Sequence, residues 1–363
     1  MNGTVETKIW VNSADDHVYE PADLWRQSGM PERLLALAPY TRIEDDRQIY
    51  YLEGRQVFRT PLSFKEAMEP PGSKDLDLRM QDLDAQGIWA SVAFPSTGIW
   101  IASMADREAQ AACARAYNDW CHAEINRRPR LIGAAVLPLV DAQATIAETE
   151  RVLNLGFKAI FFPTTLPAGV EYNQPVWEPI WSMCEEAGVP VCLHIGTGPQ
   201  PLHFTTGAGG AIINYVETAI PAQRCITHLV ASGVLDRHPK LNVMIAEGGS
   251  SWIPALVDRM VEAYRQHAMF VRPKLTRDIK EMVYGQVYCS FQHDASALPI
   301  MLATGYENVL FGCDYPHLEG TFPHTQQTLH GLFDAVPAAA RRKVTLDNFD
   351  RIFNYRTPER LAA

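Results

Sequence analysis

The sequence predicts an α/β chain whose strands run parallel and close into an eight-stranded barrel, and two observations predict it. Short apolar, β-branched runs alternate with longer helical patterns along most of the 363 residues, as expected of repeated βαβ units. Several of those runs end on a carboxylate or an imidazole, which in a parallel barrel gathers polar side chains at one mouth. Barrels of this kind exceed ~250 residues as single units, so one domain over residues 1–363 is expected.

The strands are predicted at 8–14, 89–94, 131–137, 157–162, 189–194, 242–247, 286–291 and 309–313. Helical patterns fall between them at 106–126, with Asp106 as N-cap, 141–155 closing at Gly156, 174–187 closing at Gly188, 218–236 and 251–268. Region 18–86 breaks the alternation and reads as an insertion. Within it, residues 48–59 read as a hairpin turning at Glu53-Gly54. Loops after the C-terminal ends of barrel strands build the active site, so the insertion is expected to cover that site as a lid. A second excursion, 195–217, is rich in Gly and Thr.

Composition narrows the partners. Hydrophobic residues at 47% and charged residues at 20% are globular values, and no apolar run approaches the ~18 residues of a membrane span. The first eight residues carry neither an apolar signal core nor an Arg-rich leader, so a cytoplasmic location is expected. Seven cysteines without a paired spacing read as reduced thiols. A net charge of −10 opposes phosphate backbones, and only Arg127-Arg128-Pro129-Arg130 and Arg341-Arg342-Lys343 are basic clusters. The expected partner is a small molecule, with no nucleic acid and no membrane.

The polar strand ends carry the chemistry. Asp15 and His17 end the first strand two residues apart, on one side of it. His194 ends the fifth, Glu247 the sixth, and Asp314 follows the eighth. Any one of these is more often a satisfied core group or a cap. Together, buried in a strand mouth, they cost kilocalories per group unless a cation compensates. Carboxylates and imidazoles suit one divalent ion, Zn²⁺ first, with Mn²⁺ or Fe²⁺ as alternatives. An open coordination position would activate water. A bridging carbamylated lysine needs a Lys at the end of the fourth strand, whereas Lys158 lies at its start; one ion is expected.

Several ordered stretches add a resemblance: Asp15-Asp16-His17, residues 79–88, Gly156-Phe157-Lys158-Ala159, Val191-Cys192-Leu193-His194, residues 233–241 and Leu310-Phe311-Gly312-Cys313-Asp314-Tyr315-Pro316. The chain resembles the amidohydrolase superfamily, in its amidohydrolase-related branch with aminocarboxymuconate-semialdehyde decarboxylase and the resorcylate-type decarboxylases. The resemblance implies a distorted (β/α)₈ TIM barrel, one divalent metal held by Asp15, His17, His194 and Asp314, and a homodimer or larger homo-oligomer. Val57-Phe58-Arg59 resembles the hairpin that carries a substrate-binding Arg, which makes Arg59 a candidate carboxylate clamp. Two departures stand out: Glu247 occupies the place of a His, and Ser250 that of a Glu used by the resorcylate-type enzymes. A carboxylate beside the metal suits a base acting on water, so Glu247 and Asp314 are expected to manage protons in a hydrolysis.

Among other histidines, His317, three residues beyond Asp314, is expected to face substrate, with His293 and His228 as further candidates and His203 as a pocket-lining one. Phe94, Trp100 and Trp252 offer an apolar wall. The function expected is hydrolysis of a small carboxylated, cyclic or aromatic-derived compound. The alternatives are non-oxidative decarboxylation and a catalytically silent barrel that only binds.

Overall fold

The computed structural model describes residues 8–67, 69–167, 169–198 and 205–361. Twelve strands are present among them: β1 (Val11–Val18), β2 (Tyr40–Glu44), β3 (Arg47–Leu52), β4 (Arg55–Pro61), β5 (Ile88–Pro95), β6 (Leu131–Gly133), β7 (Ala135–Val136), β8 (Ile160–Pro163), β9 (Val191–His194), β10 (Val243–Ala246), β11 (Val287–Phe291) and β12 (Val309–Phe311). All but β2–β4 pair in parallel, in two arcs ordered β1-β5-β6 and β12-β11-β10-β9-β8-β7. These are the staves of the expected barrel. The predicted strand 131–137 is two short pieces, because at Ala134 the chain changes partners: Ala134 N donates to Ala93 O of β5, and Ala135 N to Ala159 O, ahead of β8.

The seam between β12 and β1 closes through residues beyond β12. Asp314 N donates to Asp15 O and His17 N to Tyr315 O, each at 2.6 Å, and Cys313 N donates to Ser13 Oγ at 2.8 Å. Gly312 permits this approach, since a Cβ there would stand 2.9 Å from the Asp15 Cβ. Asp15 and Asp314 thereby become neighbours across the seam. Strand β1 is buried along its whole length, and its register against β5 shifts twice before Asp16, the kind of irregularity that re-aims side chains near sites.

The helices begin and end where their caps place them. Asp106 accepts from Ala109 N and Asp141 from Ala144 N, each at 2.9 Å, and Gly188 ends its helix with φ 65°. The pattern predicted as one helix over 218–236 is two, Ile220–Ala231 and Val234–Arg237, parted at Gly233 with φ 77°. All seven cysteines are free and buried.

The insertion is a three-stranded antiparallel sheet, β2-β3-β4, one strand larger than the predicted hairpin. Both of its turns, Asp45-Asp46 and Glu53-Gly54, hold two residues at positive φ, the geometry that matches strand twist in a tight hairpin. Largely exposed, β2 lacks the apolar alternation that marks a strand in sequence. Glu53 accepts from Ala105 N and Asp106 N, which ties one turn to the segment after β5. No helix among the described residues is long and apolar enough to cross a membrane.

Candidate metal centre

Four strand ends converge as the sequence predicts. Asp15, His17 and His194 each offer a ligand atom within 4.8 Å of the others; so do His17, Asp314 and His317, and so do Glu247, Asp314 and Glu319. The ring nitrogens are oriented by backbone: His17 Nδ1 lies 3.2 Å from Pro95 O and His194 Nδ1 2.8 Å from Ile195 O. With Nδ1–H donated to a carbonyl, Nε2 is left as a lone-pair donor. The two Nε2 atoms stand only 3.0 Å apart. Two lone pairs aimed at one point need a proton or a cation between them.

Carboxylates complete the arrangement. His194 Nε2 is 3.5 Å from Asp15 Oδ1 and 3.9 Å from Glu247 Oε2, and His17 Nε2 is 3.5 Å from Asp314 Oδ1. Asp15 and Asp314 are fully buried, and none of their four oxygens has a donor in hydrogen-bonding geometry. Orphaned buried carboxylates are rare and costly, so this donor set fits a divalent ion. Asp16, next in the chain, is the opposite case: it accepts from Ser13 Oγ at 2.9 Å and Tyr315 N at 3.2 Å, and faces Arg79 Nη2 at 3.5 Å. Its carboxyl is raised to about 6 by burial, against the pull of Arg79. Arg79, buried under the Tyr315 ring, also donates to His17 O at 2.6 Å. Asp16 and Arg79 brace the ligand strand from behind.

The electrostatics of the mouth are those of a site short of positive charge. Burial and the neighbouring Asp314 raise Glu247 well above the usual carboxylate range, and burial and Asp15 do the same to Asp314. Burial, with His317 and His194 nearby, pushes His17 well below the usual imidazole value. Burial also works to lower His194, but Asp15 and Glu247 outweigh it and raise the ring overall.

His317 joins the cluster, stacked on His17 with ring centroids 4.0 Å apart and with Nδ1 2.9 Å from Asp314 Oδ1. His293 is exposed, and its Nε2 lies 3.1 Å from Glu319 O and from Gly320 O, so it pins the loop after Asp314. Arg59 is exposed on β4 and makes no ion pair among the described residues. His228 lies apart, in a cavity of about 280 Å³ shared with Tyr172, Arg224 and Cys225. His203 lies outside the described residues. Phe94 packs its ring on His194 at 5.0 Å, and Phe58 of the insertion stacks on Trp100 at 6.2 Å; Trp252 is held by its Nε1 donating to Gly248 O. Glu319 escaped the sequence reading. Its signal was present two residues after His317, but a loop gives no periodicity from which to infer where a side chain points.

Comparison with known proteins places the chain. The amidohydrolase family matches residues 74–354. A gamma-resorcylate decarboxylase of Rhizobium radiobacter is 31% identical over 185 residues, covering 48% of this chain and 55% of that protein, so the match spans about half of that relative. A 2-amino-3-carboxymuconate-6-semialdehyde decarboxylase of Dictyostelium discoideum is 26% identical over 256 residues, 67% of each chain. Among solved structures, an amidohydrolase from Mycobacterium avium subsp. paratuberculosis K-10 superposes with a TM-score of 0.76 at 20% identity, over 96% of this chain and 100% of that one. A dihydroxybenzoic acid decarboxylase from Polaromonas sp. JS666, with bound manganese and the inhibitor 2-nitroresorcinol, gives 0.64 at 18%, over 97% and 98%. These likenesses bear out the barrel. They overturn the expectation of hydrolysis: the curated relatives are decarboxylases, and a carboxylate at Glu247 does not by itself select hydrolysis.

Proposed function

The chain belongs to the amidohydrolase family and is an enzyme of that superfamily, and from there we propose that it is a divalent-metal-dependent, non-oxidative decarboxylase of a small aromatic or unsaturated carboxylic acid. The observation that carries this reading is the set of orphaned carboxylates facing two imidazole lone pairs at the barrel mouth. Asp15, His17, His194 and Asp314 would hold the ion. Manganese is preferred to zinc, because the structure of the Polaromonas relative is described with manganese bound and carboxylate ligands suit it. When bound, the ion supplies Lewis-acid polarisation of a substrate oxygen.

The protein's own groups do the rest. His317 stacks on His17 with Nδ1 2.9 Å from Asp314 Oδ1, close to that carboxylate but outside hydrogen-bonding geometry, and we assign its Nε2 to the substrate. As the carboxylate leaves as CO₂, its bonding pair stays on the carbon it leaves; His317 enters the step as the imidazolium, gives its Nε2 proton to that carbon, and is left as the neutral imidazole. In this reading His317 takes the role that the resemblance gives to an imidazole at the end of the sixth strand, where this chain has Glu247. Glu247, 3.9 Å from His194, holds positive charge at the mouth instead of passing a proton to carbon. Trp100, half-buried beside Phe58 of the insertion, offers a face against which a planar substrate excludes water, and Phe94 backs the His194 ring from within the core. Arg59, exposed on β4, and His228, in its separate cavity, have no part in this reading. The homo-oligomer expected from the resemblance is supported by exposed apolar side chains on one helix, Ile212, Tyr215 and Val216.

The test is CO₂ release from a panel of hydroxybenzoates and carboxymuconate semialdehydes, abolished by chelation and restored by Mn²⁺. Turnover of amides, esters or lactones without CO₂ release contradicts the proposal.

A further inference from the structure

Among the described residues, hydrogen-bond donors are scarce at the barrel mouth. Asp15, Glu247, Asp314 and Glu319 are acceptors when ionised, and His17 and His194 turn Nδ1 to backbone carbonyls and their lone pairs to the ion's place. A substrate that brings oxygens of its own needs donors there. Gln292 offers one: the residue is 5% exposed, and its Nε2 has no acceptor in hydrogen-bonding geometry. A buried amide nitrogen without a partner is uncommon and costly.

The backbone aims this side chain. Gln292 directly follows β11 and lies two residues past Ser290, so the two share a side of the chain. Ser290 Oγ accepts from Glu247 N at 2.9 Å, which puts that side at the mouth. Asp294 fixes the position, its Oδ2 accepting from Gln292 N at 3.1 Å. At its far end the amide meets Asp314: burial and Asp15 raise that carboxyl, and Gln292 works against them. An amide oxygen in that place would confront a carboxylate, so the nitrogen is the end turned toward Asp314. It carries two N–H groups. One faces Asp314 and the second is left over.

We propose that Gln292 is a specificity-determining residue: its second Nε2–H donates to an oxygen that the substrate carries next to the departing carboxylate, so that the site selects acids with a hydroxyl there. The inference rests on the proposed decarboxylation and names the substrate group that the protein itself reads. His317 stands against the same Asp314, its Nδ1 2.9 Å from Oδ1, which puts the group read by Gln292 beside the carbon that His317 protonates. A site built to bond a substrate hydroxyl rejects the analogue without it, because the site's own buried donor is then left unpaired.

The experiment uses the full-length, Mn²⁺-loaded protein and two acids, the ortho-hydroxylated benzoate of the panel with the highest kcat/KM and the analogue that lacks one hydroxyl next to its carboxylate. Gln292→Met keeps the length of the side chain and removes the donor. It is expected to lower kcat/KM about 10–100-fold for the first acid and no more than about threefold for the analogue, with the bound metal, counted by elemental analysis, unchanged. An equal fall for both acids, or a fall that follows lost metal, would mean that Gln292 acts by holding Asp314 and would overturn the inference. A wild type that turns over the two acids with equal kcat/KM, or that releases CO₂ only from acids without such a hydroxyl, overturns it as well and leaves the proposed function standing; that comparison decides alone if Gln292→Met fails to fold. A wild type that releases CO₂ from no member of the panel overturns both.

Discussion

Two clusters of carboxylates and imidazoles in this molecule behave in opposite ways. On the outer helical layer, His238 lies between Glu185, 2.9 Å from its Nδ1, and Glu178, 3.0 Å from its Nε2, while Arg237 reaches Glu178 at 2.7 Å. There the Arg237 bond, aided by His238, holds Glu178 down to about 2. At the barrel mouth, burial and like-charged neighbours push Glu247 and Asp314 up. The outer cluster carries its own cations and is complete. The mouth has carboxylates of the same kind, deeper, and among the described residues no Lys or Arg pairs with them. A structural cluster is neutralised by the protein, whereas a functional one leaves the neutralising charge to something that binds.

The difference can be broken in order of expected effect. Asp15→Asn should abolish metal retention and lower decarboxylation by about 10³-fold or more. The same change should raise the melting temperature of the metal-free protein, because it removes an orphaned buried charge; a lower melting temperature would show that Asp15 is satisfied without metal. Arg79→Met takes the internal cation from Asp16 and should cost about 3–5 kcal/mol, read as a shift of the urea midpoint. His238→Ala should cost about 1–2 kcal/mol and leave CO₂ release unchanged.

The acid limb of stability sharpens the contrast. Glu178 has a folded value, about 2, below its ordinary 4.5. Its contribution is therefore present above pH 4.5 and is lost as the pH falls from there through about 2. The carboxyl is half-exposed, so the effect is up to about 1 kcal/mol. Glu178→Gln should flatten the melting-temperature profile over that range, and parallel profiles would contradict the assignment. The smallest effect is expected for His293→Ala, which frees the loop bearing Glu319 and should lower kcat several-fold while most of the bound metal remains.

Much of this was legible in the sequence because the signal was periodic. Strand ends falling on Asp15, His17, His194 and Asp314 gave the mouth, and the helix caps at Asp106 and Asp141 followed from local chemistry. What lay beyond periodicity was not legible. Strand β2 of the insertion is exposed and unpatterned, the break at Ala134 depends on which neighbour each half pairs with, and Glu319 sits on a loop placed by His293 from the loop after β11. Glu247 departs from the pattern that the resemblance implies, but one departure does not name a reaction.

The most direct measurement is anomalous diffraction at the manganese edge from crystals grown with Mn²⁺. The predicted result is a peak enclosed by Asp15, His17, His194 and Asp314. A mouth without a peak, with those carboxylates hydrogen-bonded to water or to one another, would contradict the claim that this site is completed by a cation.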